Sequence, residues 1–339
     1  MNLEKPFIIA EMSGNHNQSL ERALAIVDAA AAAGVDAVKI QTYTADTMTL
    51  DIVAGEFFIA DQESLWKGES LYQLYEKAHT PWEWHKPIFE RCKEHGILGF
   101  STPFDDTSVD FLEELDVPCY KIASFENVDI PLIRKVARTG KPMIVSTGMT
   151  TVSELAELVR AARENGCREL TLLKCTSSYP ASAEGTNLRT IPHMRELFGC
   201  EVGLSDHTLG IGVAVASITL GASVIEKHFT LSRADGGVDA AFSLEPNEMA
   251  QLVRECRVAA LAMGEVCYKI AEQEKKSLRF RRSLYIVEDM KAGDVITAEN
   301  MRRIRPGLGL SPKYYEAVLG RRVKCDVARG TALSWDVLA

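Results

Sequence analysis

Over the first 263 residues, short β-branched apolar runs alternate with longer helical patterns, and the pair repeats eight times. No other feature constrains the fold as much. The spacing predicts strands over residues 7–11, 37–41, 98–102, 119–123, 143–147, 170–174, 202–205 and 223–227. Helices are expected between them, such as 19–33, 82–95, 152–164 and 247–263. Runs such as Leu170-Thr-Leu-Leu173 and Val224-Ile225 are almost wholly apolar. A strand with helices on one side and a core on the other needs that composition, because both its faces are dry. Eight such units in about 250 residues match a closed (β/α)8 TIM barrel; a doubly wound open sheet is the alternative.

The pattern breaks after Gly264. A charged, helix-prone linker over 264–282 precedes Ser283-Leu-Tyr-Ile-Val287, Lys291-Ala-Gly-Asp294, Arg321-Arg-Val-Lys324 and Ala328-Arg-Gly-Thr331. Short strands with Gly turns and no long helix predict a small β-rich domain over 283–339, too short to bury much core alone. The chain thus divides into a barrel over 1–263, a linker and this module. Inside the barrel, the segment 44–80 is longer than a simple connection needs. Its Phe57-Phe58, Trp66-Lys-Gly-Glu69 and Tyr72 suit a lid or a substrate-binding excursion, and equally a helical decoration packed on the barrel.

Parallel strands in a barrel aim their C-terminal ends at one mouth, where catalytic groups collect. His207 in Gly203-Leu-Ser-Asp-His-Thr208 and His228 in Val224-Ile-Glu-Lys-His-Phe-Thr230 end the last two strands. Either alone reads as a polar residue bonded to its own loop. Together they are placed to share a divalent metal, with coordination positions left for water or substrate. The other strand ends supply Glu11, Lys39, Gln41, Ser101, Thr102, Lys121, Ser124, Glu126, Ser146, Thr147, Ser177, Tyr179 and Ser205. Lys39 and Lys121 close apolar strands, and a lysine there should not be buried unpaired. Two ammonium groups amid hydroxyls suit a compact dianion; a Schiff-base lysine is the second reading. In a closed barrel the first strand lies beside the eighth, so Glu11 neighbours His228, where it reaches a metal through water or orients a bound group. Asn15-His16-Asn17 suits sugar hydroxyls or an Asx turn, and Ser19 and Thr150 read as simple helix caps. Gly236-Gly-Val-Asp239 carries a carboxylate to the mouth.

Composition narrows the function classes. With 46% apolar residues the chain has enough material for a large core, and no apolar run is long enough to span a bilayer. Met1-Asn-Leu-Glu-Lys-Pro6 lacks a basic-then-apolar signal, which points to the cytoplasm. Eight cysteines without a Cys-x-x-Cys pair read as small buried hydrophobes of a reducing compartment. Cys175 lies close to the expected site, but the sequence shows no base paired with it. A net charge of −9 argues against nucleic acid and anionic membrane as partners. The charge is uneven: residues 264–339 hold 15 Lys and Arg against 10 Asp and Glu, so the barrel carries the whole negative excess.

Several long motifs, in order, resemble the sialic acid synthase family over essentially the whole chain. They are Ala10-Glu-Met-Ser-Gly-Asn-His-Asn17, Lys39-Ile-Gln41, Ser101-Thr-Pro-Phe104, Tyr120-Lys-Ile-Ala-Ser124, Ser146-Thr-Gly-Met149, Gly203-Leu-Ser-Asp-His-Thr208, Glu226-Lys-His-Phe-Thr230 and Arg305-Pro-Gly307. Ser13-Gly-Asn-His-Asn17, Trp66-Lys-Gly-Glu69 and Gly236-Gly-Val-Asp-Ala-Ala-Phe-Ser-Leu244 look most like the pseudaminic acid branch rather than the N-acetylneuraminate or legionaminate branches.

The resemblance implies a (β/α)8 barrel joined to an antifreeze-like (SAF) module, in a homodimer with one chain's module over the other's site. It implies condensation of phosphoenolpyruvate with an acetamido hexose, 2,4-diacetamido-2,4,6-trideoxy-altrose in that branch, assisted by Mn2+ or Mg2+. By motif, His207 and His228 resemble the metal ligands, and Lys39, Thr102, Lys121, Ser124, Ser146 and Ser205 the phosphoenolpyruvate-binding set. Glu11, Gln41, Glu126, Tyr179 and Asp239 resemble the acceptor and catalytic set, with Arg305 supplied by the other chain's module. Ser177 stands where the family can carry Asn. Glu11 and Glu126 are both open as the group that manages protons. A Schiff-base aldolase and a non-catalytic sugar-binding protein are the readings from other classes.

Overall fold

The computed structural model describes residues 5–61 and 66–339. The readings that fell on residues 1–4 and 62–65 lie outside the described residues. Eight parallel strands close into a barrel in chain order: β1 (Phe7–Glu11), β2 (Ala37–Thr42), β3 (Leu98–Pro103), β4 (Tyr120–Ile122), β5 (Met143–Ser146), β6 (Leu170–Cys175), β7 (Glu201–Asp206) and β8 (Val224–His228). Closure sets β1 beside β8, with Glu11 opposite His228. The helices that follow them are α1 (Leu20–Ala33), α2 (Ala45–Met48), α3 (Leu71–Ala78), α4 (His85–Glu94), α5 (Asp106–Glu114), α6 (Ile130–Arg138), α7 (Val152–Glu164), α8 (Thr190–Phe198), α9 (Gly212–Thr219) and α10 (Pro246–Met263). α2 and α3 belong to the excursion between β2 and β3, so one long helix remains per strand.

Side chains alternate sides along a strand, and here the alternation sorts the barrel into shells. Ile8, Ala10, Val38 and Ile40 point outward and pack with Ile26, Val27 and Ile88 of the helices. Phe7, Ile9, Ala37, Phe100, Cys119, Ile144, Leu173 and Val224 point inward and form an apolar floor. On β7 the floor position is Gly203. A Cβ there would run into the Val224 carbonyl and Leu173, so the missing side chain is what lets Leu173 fill the axis.

The loops start helices with side-chain caps. Ser19 accepts the Arg22 amide at the head of α1. At α7 the cap is Thr151, which exchanges hydrogen bonds with Glu154 in a capping box, and not the neighbouring Thr150. Thr150 instead donates to the Gly148 carbonyl at 2.9 Å and receives the Asn127 amide, bracing the loop after β5.

Asp206 and Lys227 lie in the outward phase of β7 and β8, pair at 2.7 Å and are almost wholly buried. Lys227 also donates to the Thr208 carbonyl at 2.6 Å, while Asp206 accepts the Thr208 amide and hydroxyl. Together they clamp the turn that carries His207.

The chain separates into units Met1–Gly264 and Glu265–Ala339. In the second, β9 (Ser283–Ile286) pairs antiparallel with β10 (Met301–Ile304). Leu284, Ile286, Met290, Ile296, Met301, Val318, Val323 and Leu333 form its own small core. The charged stretch expected as helical is an exposed 3-10 segment, Glu272–Phe280, because its few apolar side chains have no face to bury. Among the described residues no helix is long and apolar enough to cross a membrane.

Removing one partner of a buried ion pair leaves the other charge uncompensated. Lys227→Met should therefore lower the unfolding free energy by about 3–5 kcal/mol in urea denaturation. A loss below about 1 kcal/mol, the range of a surface pair, would show that the clamp does not hold this turn.

Candidate active site

Two residues along each strand from the apolar floor, the inward positions turn polar. They are Glu11, Lys39, Thr102, Lys121, Ser146, Cys175, Ser205 and Glu226, one from each strand and all buried. Lys39 Nζ lies 2.7 Å from Glu11 Oε2 and 3.7 Å from Glu226 Oε2, and donates to Thr102 Oγ1 at 3.1 Å. Lys121 Nζ lies 3.4 Å from Glu226 Oε1 and donates to Ser146 Oγ at 2.7 Å. Ser205 Oγ donates to Glu226 Oε1 at 3.0 Å, completing the layer. Neither lysine is a free cation: each is met by carboxylate.

Burial penalises every charge here, and the pairing decides the outcome. For Lys39 burial is overcome by Glu11 and Glu226, and its pKa is raised. For Lys121 burial outweighs the attraction of Glu226, and its pKa falls. Burial pushes Glu11 up, whereas Lys121 and Lys39 overcome burial at Glu226 and pull it down, so a proton favours Glu11.

Above this layer a cavity of about 410 Å3 opens at the C-terminal ends of the strands. Glu11, Lys39, Gln41, Lys121, Ser124, Glu126, Ser146, Tyr179, Ser205, His207, His228 and Asp239 all line it. Thr102 sits one contact behind, on Lys39. Ser177 flanks the cavity, 3.7 Å from Cys175 Sγ. Gly148 is closed in by Ser124 and Ser177, whose hydroxyls a Cβ would strike, and its amide donates to Ser124 Oγ at 3.1 Å. Glu126 also lines this space; one of its carboxylate oxygens is buried with no hydrogen-bond partner, and burial lifts its pKa to about 7 against the pull of Lys121.

The two imidazoles stand side by side with ring centres 5.4 Å apart. Tyr179 packs on His207 at 4.5 Å and Phe242 on His228 at 4.9 Å, which fixes both rings. His207 Nδ1 meets the Thr176 carbonyl at 3.0 Å; a carbonyl only accepts, so Nδ1 carries the proton and Nε2 keeps a lone pair. His228 Nδ1 is buried without a hydrogen-bond partner, 3.6 Å from Asp239 Oδ2, and burial holds this ring neutral. Ser13 Oγ donates to that Asp239 carboxylate, whose pKa burial raises. Burial opposes charge on His207 too, but Cys175 and the Thr176 carbonyl overcome it and raise that ring's pKa. Neighbouring imidazoles suit a divalent ion once both are deprotonated at the nitrogen that faces it: metal–nitrogen bonds of about 2.1 Å put two rings roughly 5 Å apart. Among the described residues no group of three or more His, Cys, Asp and Glu side chains is placed to hold an ion. An ion held by this pair would complete its shell with water or substrate oxygen.

Some expectations need correction. Asn15 and His16 are fully buried and outside the cavity: Asn15 donates to the Phe229 carbonyl and Ser243, and His16 packs edge-on against Trp84. Ser101 faces outward, bonded to Thr42, and Thr147 donates to the Leu173 carbonyl. The Glu11 carboxylate is occupied by Lys39 and by Gln41, which donates at 3.0 Å. Cys175 lies 3.8 Å from His207 Nδ1, a donor rather than a base; burial opposes its ionisation, yet His207 draws the thiol down to about 7. Glu226 and Ser13 were missed. Arg305 is an exposed residue of the second unit.

The sequence model of the NeuB family matches residues 26–268, and that of the SAF domain residues 281–339. The chain belongs to the NeuB family. It is 44% identical over 330 residues to the pseudaminic acid synthase of Campylobacter jejuni strain 81-176, covering 97% of this chain and 96% of that one. It is 42% identical to that of Helicobacter pylori strain 26695, covering 98% of each. A crystal structure of N-acetylneuraminic acid synthetase from Leptospira borgpetersenii superposes with a TM-score of 0.72 at 30% identity, over 82% of this chain and 92% of that chain.

A carboxyl whose pKa is about 7 folded and 4.5 ordinarily keeps a proton that the unfolded chain gives up between those values. The folded state binds more protons in that window, so Glu126 costs stability as pH rises through it. Glu126→Gln never ionises. Its melting temperature relative to the parent should climb from pH 4.5 to pH 7 and then level off; a flat difference would place Glu126 in water.

Proposed function

We propose that this protein condenses phosphoenolpyruvate with 2,4-diacetamido-2,4,6-trideoxy-altrose, releasing phosphate and forming pseudaminic acid. As a NeuB family member it is a carbon–carbon bond-forming transferase of carbohydrate biosynthesis. The observation that carries the reading is the stacking of a lysine–hydroxyl layer directly beneath a histidine pair in one cavity. The near-full-length likeness to two pseudaminic acid synthases supports the choice of acceptor.

Lys39, Thr102, Lys121, Ser124, Ser146 and Ser205 hold phosphoenolpyruvate, hydroxyls satisfying its oxygens and ammonium groups supplying charge. His207 and His228 would hold a Mn2+ or Mg2+ ion, which would supply Lewis-acid polarisation of the acceptor aldehyde. With the enol carbon held against that aldehyde, the new bond leaves an alkoxide and an electron-poor carbon that takes up water. The resulting tetrahedral carbon sheds phosphate by C–O cleavage. Glu126 serves as the proton carrier, since its pKa near 7 lets it give and take a proton, while Glu11 is engaged by Lys39 and Gln41. Asp239 and Tyr179 orient the acceptor beside the histidines.

The active form in this reading is a homodimer in which a partner's SAF module covers the mouth and brings Arg305 to the acceptor. Phe125, Met149 and Leu209, on the loops after β4, β5 and β7, are 60–66% exposed on a single barrel and suit a covering surface. The cytoplasm is the proposed compartment, supported by eight free cysteines.

The test supplies phosphoenolpyruvate, Mn2+ and a panel of acetamido hexoses and identifies the keto acid by mass. A nine-carbon diacetamido product with one phosphate released per turnover is expected. A borohydride-trapped pyruvate adduct formed in excess chelator would establish the Schiff-base aldolase instead. His228→Ala should weaken Mn2+ binding at least about tenfold by calorimetry. Unchanged affinity would remove His228 from the metal site.

A further inference from the structure

We infer that the 44–80 excursion is the acceptor-reading wall of the cavity, selecting sugars whose end remote from the aldehyde is deoxygenated. This rests on the condensation proposed above and adds the residues that choose the acceptor.

The cavity lining divides by origin. The barrel strands and the loops at their C-terminal ends supply its charges and most of its hydroxyls, whereas the excursion supplies Met48, Ile59, Trp66, Leu71, Leu74 and Tyr75, none of them charged. On α3, Leu71, Leu74, Tyr75 and Ala78 follow a helical i, i+3, i+4, i+7 stripe, and all four line the cavity. An amphipathic helix ordinarily spends that stripe on a core; this one presents it to the site. Tyr43 extends the surface, its ring edge-on to Tyr75 at 5.8 Å and to Phe104 at 5.1 Å.

The wall is braced in place. Ser70 and Gln73 form a capping box at the head of α3. At its tail Gln18 Nε2 donates to the Lys77 and His79 carbonyls at 3.0 and 2.8 Å. Gly14 lets the loop after β1 approach closely: a Cβ there would lie 3.2 Å from Ala78 Cα. Trp66 Nε1 donates to the Val238 carbonyl at 3.0 Å, tying the excursion to the loop that carries Asp239.

Bond formation fixes the acceptor's aldehyde end over the lysine–hydroxyl layer, beside the histidines. Its opposite end, C4 to C6, then extends outward past the strand ends, where the excursion stands. A methyl group at C6 meets the aliphatic face of Met48, Ile59, Leu71 and Leu74 there; a hydroxyl set against that face would lose water and gain no partner. Apolar pockets reject an added hydroxyl by no more than about 100-fold, so the selection is graded.

The experiment uses the full-length enzyme with acceptors in matched pairs, 6-deoxy against 6-hydroxy, in both a 2,4-diacetamido and a 2-acetamido series. Leu74→Asn is nearly isosteric and polar; Leu74→Met is the apolar control. The parent should prefer each 6-deoxy sugar by about 10–100-fold in kcat/KM. Leu74→Asn should cut that preference at least about fivefold through the acceptor KM, leaving the phosphoenolpyruvate KM unchanged, and Leu74→Met should retain it. If Leu74→Asn melts below the assay temperature, Met48→Gln supplies the same reading from α2. Absence of a deoxy preference in either series, or its survival in the polar variant, overturns the wall even if the diacetamido sugar is the best substrate. A 2-acetamido sugar as best acceptor, with the preference still collapsing in Leu74→Asn, overturns the pseudaminic acid assignment and keeps the wall.

Discussion

Two lysines and two carboxylates pair at the centre of eight strands, and the rest of the site is arranged around that pairing. Charges buried this deeply persist only when each has a partner of opposite sign. Lys39 has Glu11, Glu226 and Thr102; Lys121 has Glu226 and Ser146. Because the layer rests on a tight apolar floor, no side chain in it can sink or turn away. The ammonium groups are thereby held at fixed points facing the cavity before any ligand arrives, which is the preorganisation an electrostatic site requires.

The histidine pair depends on the same barrel through a different set of contacts. Inside, Tyr179 and Phe242 wedge the two rings at 5.4 Å. Outside, Asp206 and Lys227, one residue out of phase with the site, tie down the turn that carries His207. A strand can serve the site with one face and its own anchoring with the other, and β7 and β8 use both. The excursion after β2 adds the apolar side of the cavity, where α3 lines the site with one stripe.

Eight strands and the principal helices were legible because each follows from a repeat in hydrophobicity. The strand-end reading also found most of the polar lining. Glu226 is not legible at a strand end, because it sits one inward step before His228. The two-residue phase running Val224, Glu226, His228 contains the answer, as Leu173, Cys175 and Ser177 do for Cys175. Thr150 passed for a cap because the choice between adjacent threonines turns on backbone geometry, φ −78° and ψ 161° at Thr151, that composition does not encode. Asn15 and His16 resembled a sugar site since their residue types suit one, but the loop folds inward and uses them as internal bonds.

From the chain alone, then, came the barrel, its polar ring and the end of the molecule where chemistry collects. These follow from side-chain alternation and strand count, which are local properties propagated along each segment. Three-dimensional packing alone decided which carboxylate meets which lysine, how far apart the imidazoles stand, and that an apolar helix stripe faces a cavity. Those are separations between residues distant in sequence, set when the sheet closes and the loops pack over it, and no local pattern carries them.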